Sequence, residues 1–175
     1  MDAAPFLVEV GGALAAVSLD AVLIGNAGAA LQGAPVTTLD FDFLFRRTPR
    51  NLAKLKQFAK RLGATVLRPY YPVSDLFRVV RDDGLQVDFM GTVHGVRSYE
   101  GVRARATMVD VDGVAIAVAS LADIIRSKKA AGRPQDLAVV NVLERVHARQ
   151  ENSKARAESK GASRRAGARK SSRAR

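Results

Sequence analysis

Apolar side chains at Leu39, Phe41, Phe43 and Phe45 alternate with Asp40, Asp42 and Leu44 in the stretch TLDFDFLF. A period of two predicts a strand over 38–45 with one wholly apolar face and one face carrying two carboxylates. Ahead of it, the run AVLIG (21–25) predicts a short buried strand ending at Gly25. Asn26 is placed to cap a helix over AGAALQ that ends near Gly33 and Pro35. Residues 5–19, small and apolar, suit a first helix. After Pro49, the residues Leu52, Leu55, Phe58, Ala59 and Leu62 recur at intervals of three and four. That spacing predicts a helix with Lys54, Lys56, Lys60 and Arg61 turned outward and Gly63 as its stop. A strand TVLRP and an irregular YYPVS follow.

Two hairpins come next. In DLFRVVRDDGLQVDFMG, Phe77 and Val79 alternate in one arm and Leu85, Val87 and Phe89 in the other, with Asp83-Gly84 as the turn. The stretch 107–118 repeats the pattern around Asp112-Gly113. Ser120, with Asp123 three residues on, predicts a capped helix over SLADIIRSKKAAG. Pro134 opens a last helix over PQDLAVVNVLERVHAR, with Leu137, Val140, Val142 or Leu143, and Val146 inward. The expected architecture is one α/β domain over 1–149, a mixed β-sheet flanked by helices, followed by a separate segment over 150–175.

Composition changes the picture mainly at that last segment. The net charge is +11, and residues 148–175 hold ten Lys/Arg against two Glu, so +8 of the +11 lies there. This stretch has no aromatic residue and is expected to be a flexible, disordered basic arm. Such an arm binds polyanions through counterion release, or simply keeps the protein soluble. With 47% hydrophobic residues the rest can build a packed core. The absence of cysteine excludes disulfides and thiolate metal sites. No apolar run approaches the ~20 residues of a membrane helix, and the start MDAAPFLVEV carries Asp2 and Glu9 but no basic residue before its apolar run. A cytoplasmic location with no membrane association is expected.

Carboxylates inside a strand need partners, because burying unpaired charge is costly. Asp40 and Asp42 leave the same face of one strand, about 6–7 Å apart along it. A divalent cation such as Mg²⁺ would satisfy both and keep positions free for phosphates. Asp88, in LQVDFMG, likewise interrupts an apolar run and is a third candidate ligand. The turn at Gly25-Asn26, leading from strand to helix, would present free backbone N–H groups to a phosphate. Against this, D-x-D spacing recurs at Asp110 and Asp112, where Asp-Gly simply closes a hairpin. Gly25 is also an ordinary strand end, and two aspartates on a solvated sheet face need no metal.

A strand ending in a glycine turn, a helix, and then T-x-D-x-D on a strand resembles the polymerase-beta-like nucleotidyltransferase superfamily. Gly25, Asn26, Thr38, Asp40 and Asp42 carry the resemblance, with Asp88 as the third carboxylate. The stretch SLADIIRSKKAAGRPQDLAVVNVL resembles a segment of small bacterial nucleotidyltransferases, including the AbiEii-type toxins, with Lys128, Arg133 and Asp136 on matching positions. Asn26 stands where Gly or Ser is usual, Val36 where many members carry Arg, and Val139 where many carry a second Asp.

The resemblance implies a nucleotidyltransferase fold and transfer of a nucleoside monophosphate from an NTP to an acceptor hydroxyl. Asp40, Asp42 and Asp88 would hold Mg²⁺ or Mn²⁺, with Asp88 sharing a metal or acting as base. Gly25, Asn26 and Thr38 would form the nucleotide turn, and Lys128 and Arg133 would steady the triphosphate. Arg133 and Asp136 could instead pair the last two helices, and Lys128 could be an exposed helix lysine. The basic surface favours RNA, such as tRNA, as acceptor, in a toxin paired with a cognate antitoxin. Tyr70, Tyr71 and Tyr99 could stack on a base or pack at a rim, and His94 is expected in an exposed loop. The alternatives are a catalytically weakened protein that binds nucleic acid or a partner, and a small-molecule enzyme of the aminoglycoside-modifying type.

Overall fold

The alternating stretch around Asp42 forms the middle strand of one seven-stranded sheet. The structure, a computed structural model, describes residues 4–38, 40–67 and 76–171, with backbone alone at 158 and 160–171. The strands are β1 (Ala21–Ile24), β2 (Asp40–Phe45), β3 (Thr65–Leu67), β4 (Phe77–Val80), β5 (Gln86–Met90), β6 (Thr107–Val111) and β7 (Val114–Val118). The helices are α1 (Ala4–Ala16), α2 (Gly25–Ala30), α3 (Pro49–Arg61), α4 (Tyr99–Arg105), α5 (Leu121–Ala131) and α6 (Pro134–Ser171). The sheet order is β3-β4-β5-β2-β1-β7-β6. It is mixed: β2 runs antiparallel to β1 and parallel to β5, and β1 runs parallel to β7. A parallel neighbour requires a crossover, and α3 begins the return from the end of β2.

The two faces of β2 set the two halves of the core. Phe41, Phe43 and Phe45 lie on one side with Val79, Val87 and Phe89, and α1 and α3 cover them through Leu7, Val10, Leu55 and Phe58. Phe89 stacks on Phe43 at 5.5 Å and meets Phe58 edge-on at 5.2 Å. Each buried ring is worth roughly 1.5–3 kcal/mol of transfer energy, so this layer dominates the hydrophobic stabilisation. On the other side Val22, Leu44, Ala117 and Ala119 meet Val102 of α4, Leu121 and Ile124 of α5, and Val140 and Leu143 of α6. Asp40 and Asp42 share that second side, at the start of β2 where the helical cover gives way to a cleft.

Several expectations shift. α2 begins two residues earlier than expected, so Asn26 lies inside its first turn and is no cap; its Oδ1 is buried with no hydrogen-bond partner among the described residues. β2 begins at Asp40; Thr38 precedes it, its hydroxyl accepting from the Asp40 amide in a local turn, and Leu39 lies outside the described residues. The stretch after His94 contains a helix the pattern did not predict, α4, because seven residues with only Tyr99 and Val102 buried carry too short a period to read. Ser98 caps it, accepting from the Gly101 amide at 3.1 Å. Tyr99 is buried in the core and does not offer a stacking face. Tyr70 and Tyr71 lie outside the described residues.

The last helix continues through the segment expected to be a flexible arm, from Pro134 to Ser171. Residues 151–157 are all exposed, so this extension adds nothing to the core, as its composition predicts. Gln150 holds the helix to the domain by donating to the Gln32 carbonyl at 2.8 Å. Among the described residues no helix is long and apolar enough to cross a membrane.

Candidate active site

Strand register places four residues in one row across the sheet. Arg78 of β4 pairs with Asp88 of β5, Asp88 with Asp42 of β2, and Asp42 with Ile24 at the end of β1. Neighbouring strands are about 4.8 Å apart, so Asp42 and Asp88 are side-by-side carboxylates on one face. Asp40, two residues back on β2, is exposed at the rim beside Gln86. The neighbours of Asp88 in sequence, Val87 and Phe89, point into the opposite apolar layer and fix its direction.

The electrostatics follow from this row. Burial pushes the Asp42 carboxyl up to about 6, and the charges of Asp88 and Asp40 push in the same direction against Lys128 and Arg133. Asp88 does not suffer alone, because Arg78 holds it by both oxygens: Nε to Oδ1 at 2.8 Å and Nη2 to Oδ2 at 2.7 Å. That bidentate bond raises the Arg78 pKa further.

A cleft of about 580 Å³ opens over the row. Its floor holds Ile24, Gly25, Asp42, Leu44 and Asp88, and one wall is the α5–α6 corner with Lys128, Arg133 and Asp136. The loop carrying Thr92, Val93 and His94 lines it too, and His94 is exposed there as expected. Gly25 has φ +67°, and a Cβ at this position would overlap Oδ2 of Asp42. Only glycine lets the chain turn from β1 into α2 this close to the carboxylate.

Lys128 is not an exposed helix lysine. It is buried and donates to Asp136 Oδ1 at 3.0 Å, while Arg133 Nε donates to Oδ2 of the same carboxylate at 2.6 Å. Burial alone would raise the Asp136 pKa, but these two cations outweigh it and hold it low. Deeper in the cleft, Asp123 accepts from Arg105, Arg126 and Ser120, tying α4 to the start of α5.

The structure therefore brings Gly25, Asp42, Asp88, Lys128 and Arg133 to one cleft, with Asp40 at its rim and Thr38 in the turn before β2. Among the described residues no three acidic or histidine side chains are grouped to hold a metal ion, and Arg78 engages Asp88. No ion pair engages Asp40 or Asp42 among the described residues. Arg78 is the residue that sequence reasoning missed. Counting from Asp83-Gly84 as a two-residue turn would have set Arg78 opposite Phe89; the turn holds three residues, Asp82 to Gly84, between Arg81 and Leu85, and that extra residue brings Arg78 opposite Asp88.

A family profile described as "Nucleotidyl transferase of unknown function (DUF2204)" matches residues 4–162. The chain belongs to this nucleotidyl transferase family. A search of curated proteins finds no match. Solved structures with the same fold include the antibiotic-resistance factor ANT(2'')-Ia in solution, with TM-score 0.57 and 14% identity over 90% of this chain and 96% of that one. ANT(2'')-Ia in complex with adenylyl-2''-tobramycin gives TM-score 0.58 and 14% identity over 87% and 97%. A Thermotoga maritima protein described as a nucleotidyltransferase gives TM-score 0.57 and 19% identity over 78% and 89%. At these identities the likeness is one of fold, and the family match makes this nucleotidyl transferase an enzyme whose donor is an NTP.

Proposed function

We propose that this nucleotidyl transferase moves a nucleoside monophosphate from an NTP to an acceptor hydroxyl with the help of Mg²⁺ or Mn²⁺. The observation that carries the reading is the side-by-side pair of Asp42 and Asp88 on the floor of the cleft, opposite Lys128 and Arg133. The donors fit a divalent cation: oxygen ligands from Asp40 and Asp42, with Asp42 driven toward its protonated form by burial and neighbouring negative charge. Bound by Asp40 and Asp42, beside Asp88, the cation would neutralise triphosphate charge and favour departure of pyrophosphate.

The chain's own groups account for the rest. Gly25 and Asn26 approach the β- and γ-phosphates through backbone N–H, and the Thr38 turn sets where β2 starts. Lys128 and Arg133 face the triphosphate from the α5–α6 corner. Asp88 takes the proton of the acceptor hydroxyl as its oxygen bonds to the α-phosphorus. The bond from that phosphorus to the bridging oxygen breaks, and pyrophosphate leaves with the electron pair.

For the acceptor we favour RNA such as tRNA, in a cytoplasmic toxin of the AbiEii type checked by an antitoxin. The exposed Lys56, Lys60 and Arg61 of α3, and Lys154 and Arg156 on the extension of α6, support it as phosphate contacts. In this reading residues 1–149 carry catalysis and 150–175 carry RNA binding. One observation favours a second reading, a small acceptor of the aminoglycoside type: the complex with adenylyl-2''-tobramycin shares the fold over nearly its whole length.

Labelled NTPs, Mg²⁺ and either total tRNA or tobramycin test these readings together. Label in tRNA that is lost in Asp40→Ala and Asp42→Ala supports the first, and label in tobramycin supports the second. Transfer that survives both variants overturns the assigned site. No transfer, together with RNA binding indifferent to Mg²⁺ and lost on removal of 150–175, returns a nucleic-acid binder with weakened catalysis.

A further inference from the structure

We infer that Arg78 is a positioning residue for the transfer reaction, holding the Asp88 carboxylate by both oxygens so that Asp88 serves the acceptor hydroxyl and not the cation. The inference rests on the reading of the cleft as a transfer site. Three observations carry it. The guanidinium fork is bidentate, 2.8 Å and 2.7 Å to the two oxygens. A carboxylate has about four lone-pair positions, and side-on chelation of a cation would use the two inward ones that the fork fills. What remains is an outward lone pair, suited to one hydroxyl proton.

The pairing is also built into the sheet. Arg78 and Asp88 are register partners on adjacent antiparallel strands, and the turn from Asp82 to Gly84, closed by the Arg81 amide donating to the Leu85 carbonyl, fixes that register. Finally, the pair divides its exposure. Both side chains line the cleft, that of Arg78 41% exposed and that of Asp88 8% exposed, so the held carboxylate meets the cleft through only a small part of its surface. Asp40 and Asp42 have no such clamp among the described residues. The three carboxylates thus split into two left open for a cation and one aimed by an arginine. A lysine could supply the charge at this position but not the two-pronged orientation.

The test uses the full-length protein, its Arg78→Lys and Arg78→Met variants, and each of these combined with Asp88→Asn. Arg78→Lys keeps the charge, so it serves if Arg78→Met does not fold. The first readout is Mn²⁺ binding by calorimetry, which needs no turnover. Releasing Asp88 should tighten Mn²⁺ several-fold in Arg78→Lys, and the gain should vanish when Asp88 is Asn. The second readout is steady-state transfer, where kcat should fall about tenfold or more with the KM for NTP held within about twofold. Unchanged kcat in Arg78→Lys overturns the inference. So does an Mn²⁺ gain that persists in the Asp88→Asn background. If the wild-type protein transfers no label to any acceptor, the proposed function fails, while the Mn²⁺ cycle still decides what Arg78 does to Asp88.

Discussion

The carboxylate of Asp42 rests against the Cα of Gly25, so closely that any side chain on Gly25 would displace Oδ2. Gly25→Ala therefore adds a steric conflict to a left-handed backbone at φ +67°. The expected loss of stability is roughly 1–3 kcal/mol, read from urea melts. Gly63→Ala is the control, because Gly63 has φ +62° with open space around it. A cost at Gly25 no larger than at Gly63 would show that the contact with Asp42 carries no weight.

Asp42 makes the apo-protein less stable as it ionises. Its carboxyl sits at about 6 against an ordinary 3.8, chiefly through burial and then through Asp88 and Asp40. A group that binds its proton more tightly when folded stabilises the fold below its ordinary pKa and loses that contribution as pH rises through the folded value. In EDTA, Asp42→Asn should raise stability by roughly 2–3 kcal/mol at pH 7–8 and change little near pH 4. Equal effects at both pH values would contradict the burial argument.

The Lys128–Asp136 pair is buried on both sides, with side-chain exposures of 10% and 7%. Removing Lys128 leaves Asp136 to Arg133 alone, so Lys128→Met should cost roughly 1–3 kcal/mol. The double variant Lys128→Met/Asp136→Leu should cost less than the sum of the singles. Additive losses in chemical denaturation would mean that the two residues act independently.

Asp123 stabilises in the opposite pH sense to Asp42. Burial would raise its pKa, but hydrogen bonds from Arg105 and Ser120 outweigh that and hold it low. Its contribution is present above the ordinary carboxylate pKa and is lost as pH falls through the folded value. Asp123→Asn should therefore destabilise at neutral pH, by roughly 1–3 kcal/mol, with the difference shrinking in acid. Hydrogen exchange should speed first in 99–105, the helix that Arg105 anchors. Unaltered protection there would refute the tie between α4 and α5.

Much of this was legible because the periods are clean. The alternation around Asp42 announced both β2 and the carboxylate face, and the two Asp-Gly turns announced both hairpins. The stripe from Leu52 to Leu62 and the cap at Ser120 announced α3 and α5. What stayed hidden were relations across strands. Nothing local in FRVV says that Arg78 grips Asp88, since that depends on counting register from a turn. The sequence left Lys128 open between a solvated lysine beside Lys129 and a site residue, because its burial comes from α6 folding back over α5 at Gly132. Asn26 looked like a cap because its side chain prefers that role, yet φ at Gly25 lets the helix start earlier.

The parallel pairing of Leu23 with Val118 joins the segment bearing the carboxylates to the segment bearing Lys128 and Arg133. With Gln32 donating to the Ala119 carbonyl and α2 packed on α5, this long-range pairing brings anions and cations face to face. During synthesis, a growing chain whose C-terminal portion is still inside the ribosome would expose the acidic row without its basic wall. Nucleotide capture should therefore wait until α5 and the start of α6 have joined the sheet, and separately expressed halves should regain it only by complementation.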